Sequence, residues 1–139
     1  MLGSRIAGTL AISLLIASTA TFAHHSAAGF DATKTVTVEG TVVEFRWANP
    51  HSWLEMKVAN SKGVMEDWNI EMAGVGALIS HGWTKKSVGP GDKIKLTGHP
   101  LKTGEVGAIF IEATLPDGRV LGGGGGAGPG TDPFPKYER

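Results

Sequence analysis

Short segments in which apolar and polar residues alternate fill residues 35–115, and Gly, Pro, Asn and Asp separate one segment from the next. Alternation with a period of two is typical of strands that bury one face. It predicts five strands, at residues 35–47, 51–59, 64–72, 93–99 and 106–115, and a short helix at 74–81 between the third and fourth. We therefore expect an all-β fold, a small five-stranded OB-like Greek-key barrel, with another small β-sandwich as the alternative.

The first predicted strand changes phase along its length. Val36, Val38 and Val42 share one parity, whereas Val43, Phe45 and Trp47 share the other. One extra residue in a strand shifts its alternation in this way, so we predict a β-bulge between residues 40 and 43 that bends the strand. The inward positions give the expected core: Val38, Val42, Phe45, Leu54, Met56, Trp68, Ile70, Ile94, Leu96, Ile109 and Ile111.

The two ends of the chain do not share this pattern. Arg5 precedes an apolar run at residues 6–17, and small residues follow up to Ala23, which is the pattern of a cleavable secretory signal over residues 1–23. Cleavage after Ala20 and an uncleaved membrane anchor are the alternatives. The barrel domain is expected at 24–121. A Gly-rich tail follows at 122–139, and its composition predicts a flexible segment.

Composition narrows the function classes. The 139 residues include 13 basic and 13 acidic ones, so the clustered positive charge that binds nucleic acid is missing. Past the predicted signal, no apolar run approaches the length of a membrane helix, so we expect a soluble periplasmic or secreted protein with no transmembrane segment. The chain has no cysteine, which excludes disulfides and thiolate metal sites.

Several short motifs occur in a characteristic order. They are HisHisSer at 24–26, AsnProHis at 49–51, ProGlyAsp at 90–92, GlyHisPro at 98–100 and ProAspGlyArg at 116–119. In this order the motifs make the chain resemble exported bacterial proteins of the domain-of-unknown-function family 6152. The resemblance implies a periplasmic OB-like domain of uncharacterised activity, and it implies no catalytic residues.

The histidines are the candidate metal ligands. If cleavage follows Ala23, the mature chain begins at His24, whose amine and imidazole together can chelate a metal ion. Pro50 places His51 at the start of a strand, near the expected barrel rim. Imidazole and amine donors without a competing thiolate suit copper, so we predict a copper site formed by His24, His25 and His51. Structural roles for the same residues are the alternative, since a chain terminus is often loosely held and AsnPro is ordinary turn chemistry.

A second hypothesis needs no metal. Trp53 shares its parity with His51 and Glu55, on the outer face of the second strand, where a large aromatic side chain can bind a ligand or cover a loop. Together with Asn49, Glu71 and His99 it would form the binding surface for a small organic ligand or a periplasmic protein partner. The acidic residues of strands two and three also have a simpler interpretation as a solvated sheet face. Without a nucleophile motif such as Gly-x-Ser-x-Gly, binding is favoured over catalysis.

Overall fold

The computed structural model of this chain describes residues 27–123. The strands are β1 (Val36–Arg46), β2 (Trp53–Ala59), β3 (Met65–Glu71), β4 (Lys93–Pro100), β5 (Ala108–Thr114) and β6 (Val120–Gly122), and helix α1 (Val75–Ser80) lies between β3 and β4. The predicted signal, His24, His25 and residues 124–139 of the predicted tail lie outside the described residues.

The strands form one sheet in the order β3-β2-β1-β4-β5-β6, and a parallel pairing of β3 with β5 closes the first five into a barrel. The prediction of a small five-stranded barrel, with a short helix between the third and fourth strands, is confirmed. The short edge strand β6, which pairs with β5, was not predicted.

The predicted bulge in β1 is present. Val42 pairs with Met56 and Glu44 with Glu55, so Val43 is the extra residue. It is also one of the exposed large apolar side chains. On either side of it, Val42 is buried and Phe45 packs against the core, as the change of phase predicted.

The barrel core agrees with the predicted one except in β5. Val42, Leu54, Met56, Ile70, Ile94 and Leu96 are buried, and Val38, Phe45 and Trp68 pack against them partly buried. In β5 the inward residues are Ala108, Phe110 and Ala113. The core assignment of Ile111 was wrong, because the β4–β5 register passes from Glu112 directly to Phe110 and leaves Ile111 unpaired and half-buried. Ile109 is buried, but outside the cluster that fills the barrel.

The largest core side chain was missed. Trp83 is 1% exposed, its ring packs against Phe45 and Phe110, and its Nε1 donates to the carbonyl oxygen of Gly122 at 2.9 Å. Trp83 therefore ties the connection between α1 and β4 to the end of β6.

Residues before β1 lie against the end of β4. Phe30 forms a β-bridge with Leu101, and the backbone N–H of Asp31 donates to the carbonyl oxygen of Pro100 at 2.8 Å. The Lys102 ammonium donates to the carbonyl oxygen of Ala28 at 2.8 Å. The first described residues are therefore fixed to the barrel. Within residues 27–123, no helix is long and apolar enough to cross a membrane.

Candidate functional site

His51 and Glu71 form a pair at one end of the barrel. His51 lies just before β2, Glu71 is the last residue of β3, and His51 Nδ1 is 2.7 Å from Glu71 Oε1. The Glu71 side chain is only 5% exposed, whereas the His51 side chain is 28% exposed. A carboxylate so deeply buried needs a strong partner, and the imidazole provides one.

The position of Glu71 corrects one interpretation of the sequence. Of the acidic residues on strands two and three, Asp67 pairs with Lys57 and Glu55 with Arg46 near solvent, as a solvated face would. Glu71 belongs to the same parity but is buried. The alternation of β3 indicates on which face of the sheet Glu71 lies. It does not indicate how deeply Glu71 is buried, because that depends on residues far away in the chain.

The loop that carries His51 is held at several points. The backbone N–H of Ser52 donates to Ala73 at 3.1 Å, and its carbonyl oxygen accepts from Met72 at 2.9 Å. The fully buried Ser52 hydroxyl donates to the carbonyl oxygen of Ala48 at 3.1 Å. These hydrogen bonds fix the loop to the segment that follows Glu71. They thereby hold the His51 imidazole next to the Glu71 carboxylate.

Asn49 has a structural role in the same loop. Its side-chain oxygen accepts from the backbone N–H of Val75 at 2.9 Å, at the first residue of α1. The preceding residue, Gly74, has no side chain to satisfy that amide, so Asn49 does so from a distance. The Asn49 side chain therefore caps the start of α1, whereas the sequence suggested only ordinary turn chemistry for AsnPro.

A row of paired residues crosses the outer face of the barrel beside this loop. Trp53 pairs with Arg46 on one side and Glu71 on the other, Glu71 pairs with Ile109, and Ile109 pairs with His99. Directly paired residues project from the same face of a sheet. The closed barrel thus brings three of the predicted binding residues into one row: Trp53, Glu71 and His99.

His99 differs from His51 in its accessibility. Its side chain is buried, and Nδ1 donates to the carbonyl oxygen of Lys34 at 2.6 Å. Its Nε2 is also buried and has no hydrogen-bond partner within residues 27–123. His81 serves the helix end, where Nδ1 donates to the carbonyl oxygen of Ala77 at 2.8 Å, as expected for an imidazole near a helix C-terminus. The His51 side chain, in contrast to that of His99, is 28% exposed, and its Nδ1 is the ring nitrogen that contacts Glu71.

The described part of the chain contains no group of three or more His, Asp or Glu side chains arranged to hold a metal ion. Met56 and Met72, whose thioether sulfurs are soft donors suited to Cu(I), are both buried in the barrel core. A metal site at His51 would therefore need ligands from outside residues 27–123, where the predicted ligands His24 and His25 lie.

Comparison with known families agrees with the resemblance seen in the sequence. A family model described as a family of unknown function, DUF6152, matches residues 11–110. The chain belongs to the DUF6152 family. The match includes His24, His25, His51, Glu71 and His99, and it ends within β5, before β6 and the Gly-rich tail of this DUF6152 member. Comparison with curated proteins gives no match.

Proposed function

We propose that this protein is an exported, periplasmic metal-binding protein, that copper is its ion, and that Nε2 of His51 is one of the ligands. His24, through its amine and imidazole, and His25 supply the others. In this proposal Glu71 does not touch the metal ion. It orients the imidazole that does.

The observation that carries the proposal is the contact between His51 Nδ1 and Glu71 Oε1. An ionised carboxylate can only accept, so the hydrogen lies on Nδ1 of His51. In a neutral imidazole the lone pair is then on Nε2. A carboxylate behind a metal-bound histidine fixes its tautomer and ring orientation and raises its basicity. The 28% exposure of the His51 side chain supports an accessible Nε2.

The path of the amino-terminal segment sets what the remaining ligands require. Phe30 and Asp31 lie along the end of β4, next to His99, and two strand spacings, about 10 Å, separate His99 from Glu71 across the sheet. Before Phe30 the chain contacts Lys102, three residues past His99. The proposal therefore requires the residues before Ala27 to turn back across the sheet towards His51.

The donor chemistry favours copper. Amine and imidazole donors bind Cu(II) more tightly than the other common divalent ions. No thiolate competes for the metal, because the chain has no cysteine. Cleavage after Ala20 in place of Ala23 would separate the terminal amine from His24 and leave only imidazole donors. The mature amino terminus is therefore part of the proposal.

The alternative function is a small-ligand or protein-interaction module that uses Asn49, Trp53, Glu71 and His99. The contacts of these residues favour the metal. The Asn49 side-chain oxygen accepts from Val75, the Glu71 carboxylate is engaged by His51, and His99 is buried. Of the four, Trp53 keeps the most surface for an organic partner.

The test is a copper competition titration on protein exported with its own signal, whose amino terminus is first determined by intact mass. We expect one equivalent of Cu(II) to bind, and Glu71→Gln to weaken binding by about 10- to 100-fold, as loss of an orienting partner does. His51→Ala should weaken it at least as much. His81→Ala is the matched control and should have no effect.

Two results would contradict the proposal. In the first, His51→Ala leaves the Cu(II) affinity unchanged, whereas one residue added before His24 abolishes binding. This result would indicate a chelate formed by the amino terminus alone. The other is the absence of stoichiometric binding in protein that begins at His24.

A further inference from the structure

A groove of about 470 Å³ lies on the barrel surface, and none of the residues of the His51 site lines it. Its lining comes from the middle of β1, the second half of β2 and the beginning of β4, together with Met65 at the start of β3 and residues 114–116 at the end of β5. This volume is within the range of small-molecule sites.

The register of the sheet concentrates lysines in this groove. Thr41 pairs with Lys57 on β2 and with Lys93 on β4. Lys95, two residues further along β4, lies on the same face as Lys93. Directly paired side chains on one sheet face are about 4.5–5.5 Å apart at Cβ, so Lys57 and Lys93 flank Thr41 on its two sides.

Acidic residues balance this charge only in part. Lys57 pairs with Asp67, and Lys95 is 3.7 Å from Glu39. Lys93 has no ion-pair partner within residues 27–123, and Glu39 is the one acidic residue among those that line the groove. The side of the groove formed by β4 therefore carries uncompensated positive charge.

The opposite side of the groove, formed by β2 and β3, carries an exposed apolar side chain. Met65 is 55% exposed and pairs with Ala59 of β2, which also lines the groove. At the base, Gly40 lets β1 pass close to β2, since a Cβ there would be 2.5 Å from the carbonyl oxygen of Lys57. A methionine exposed to this extent beside a cationic strand provides an apolar contact and an anionic contact within one site.

We propose that this groove binds a small organic anion with an apolar body, of the class of a medium-chain alkyl carboxylate. The carboxylate contacts the Lys93 ammonium and the Thr41 hydroxyl, and the alkyl chain lies over Ala59 and Met65. A carboxylate is complementary to Lys93 because it supplies the missing counter-charge, and the alkyl chain removes the exposed methionine from water. The site is separate from the proposed metal site and does not depend on it.

The experiment is a titration of the full exported chain with decanoate below its micelle-forming concentration, followed by isotope-edited NMR. We expect saturable 1:1 binding with shift changes at Thr41, Met65 and Lys93. Acetate, which lacks the chain, and decyltrimethylammonium, which has the opposite charge, should bind at least about tenfold more weakly.

Variants separate this site from non-specific adsorption. Lys93→Glu reverses the charge next to the proposed carboxylate and should weaken decanoate binding about tenfold or more. Lys86→Glu makes the same charge change on an exposed residue outside the groove and should leave binding unchanged. Equal affinity for decyltrimethylammonium, shift changes that cluster at Trp53 and Glu71, or an unaltered affinity in Lys93→Glu would each overturn the proposal.

Discussion

Gly74 lies directly against Pro50, so closely that a β-carbon on Gly74 would be 2.6 Å from the Pro50 carbonyl oxygen and 2.8 Å from the side-chain oxygen of Asn49. The backbone of Gly74 is extended, and the requirement for glycine is therefore steric and not conformational. This close approach lets the loop that carries His51 pack onto the start of α1.

Gly74→Ala should consequently displace the loop and lower the free energy of unfolding by about 1–3 kcal/mol, the usual cost of overpacking. Gly76→Ala is the matched control, since a β-carbon there meets no atom within 4 Å. That change should leave stability unaltered or raise it by up to about 1 kcal/mol, because alanine favours a helix. Urea unfolding of both variants measures the difference, and equal effects would contradict the packing described.

Substitution of Trp83 should lower the free energy of unfolding more than substitution of any other tryptophan. It is nearly inaccessible, contacts two aromatic rings and donates to Gly122. Trp83→Ala should destabilise the protein by about 3–5 kcal/mol. The half-buried Trp53 provides the comparison, and Trp53→Ala should lower the free energy of unfolding by clearly less in the same assay. A larger loss from Trp53→Ala would be inconsistent with this core.

Trp83→Phe tests the hydrogen bond to Gly122 separately from the packing. It retains an aromatic ring but removes the donor that holds β6. Hydrogen exchange should become faster at the backbone amides of β6, with little change in β2 or β3. Uniformly faster exchange would mean that the substitution acts through global stability instead.

Asp31 should titrate at unusually low pH. Hydrogen bonds from the Thr33 side chain, then from Lys34 and the Thr33 backbone, hold the pKa of Asp31 at about 2, below its ordinary value of 3.8. A pKa that folding lowers adds stability above the unfolded value, and this stability is lost as the pH falls from about 4 towards 2.

The corresponding measurement is a carboxyl NMR titration together with acid unfolding of Asp31→Asn. The variant should be less stable than the native chain near neutral pH, and the difference should shrink as the pH approaches 2. An Asp31 midpoint at or above 3.8, or a stability difference independent of pH, would contradict the arrangement at Asp31.

Local alternation was sufficient to predict most of the barrel. The phase change between Val42 and Phe45 predicted the bulge at Val43, and the glycines around residues 74–82 predicted the position of the helix. Alternation failed in β5, because the register irregularity opposite Thr97 and Gly98 leaves no mark in the sequence of β5 itself. Trp83 was missed since it lies between regular elements, where periodicity carries no information about burial.

The candidate site was predictable only in part. The sequence indicated the residue types and the rim position of His51, because Pro50 marks a turn and strand parity assigns a face to Trp53 and Glu71. It did not indicate that Glu71 is buried against His51, since this contact depends on how β2 pairs with β3 and how the barrel closes through β5. A histidine after a turn and a carboxylate at a strand end were the two signals available.

The most direct test of the metal-binding proposal is pulsed electron paramagnetic resonance of the exported protein loaded with one equivalent of Cu(II), which detects the remote nitrogen of each coordinated imidazole. The proposal predicts that the modulation from coordinated imidazole decreases in His51→Ala, that Glu71→Gln alters its coupling, and that His81→Ala matches the native chain. Identical spectra for the native chain and His51→Ala would show that His51 is not a ligand and would contradict the central claim.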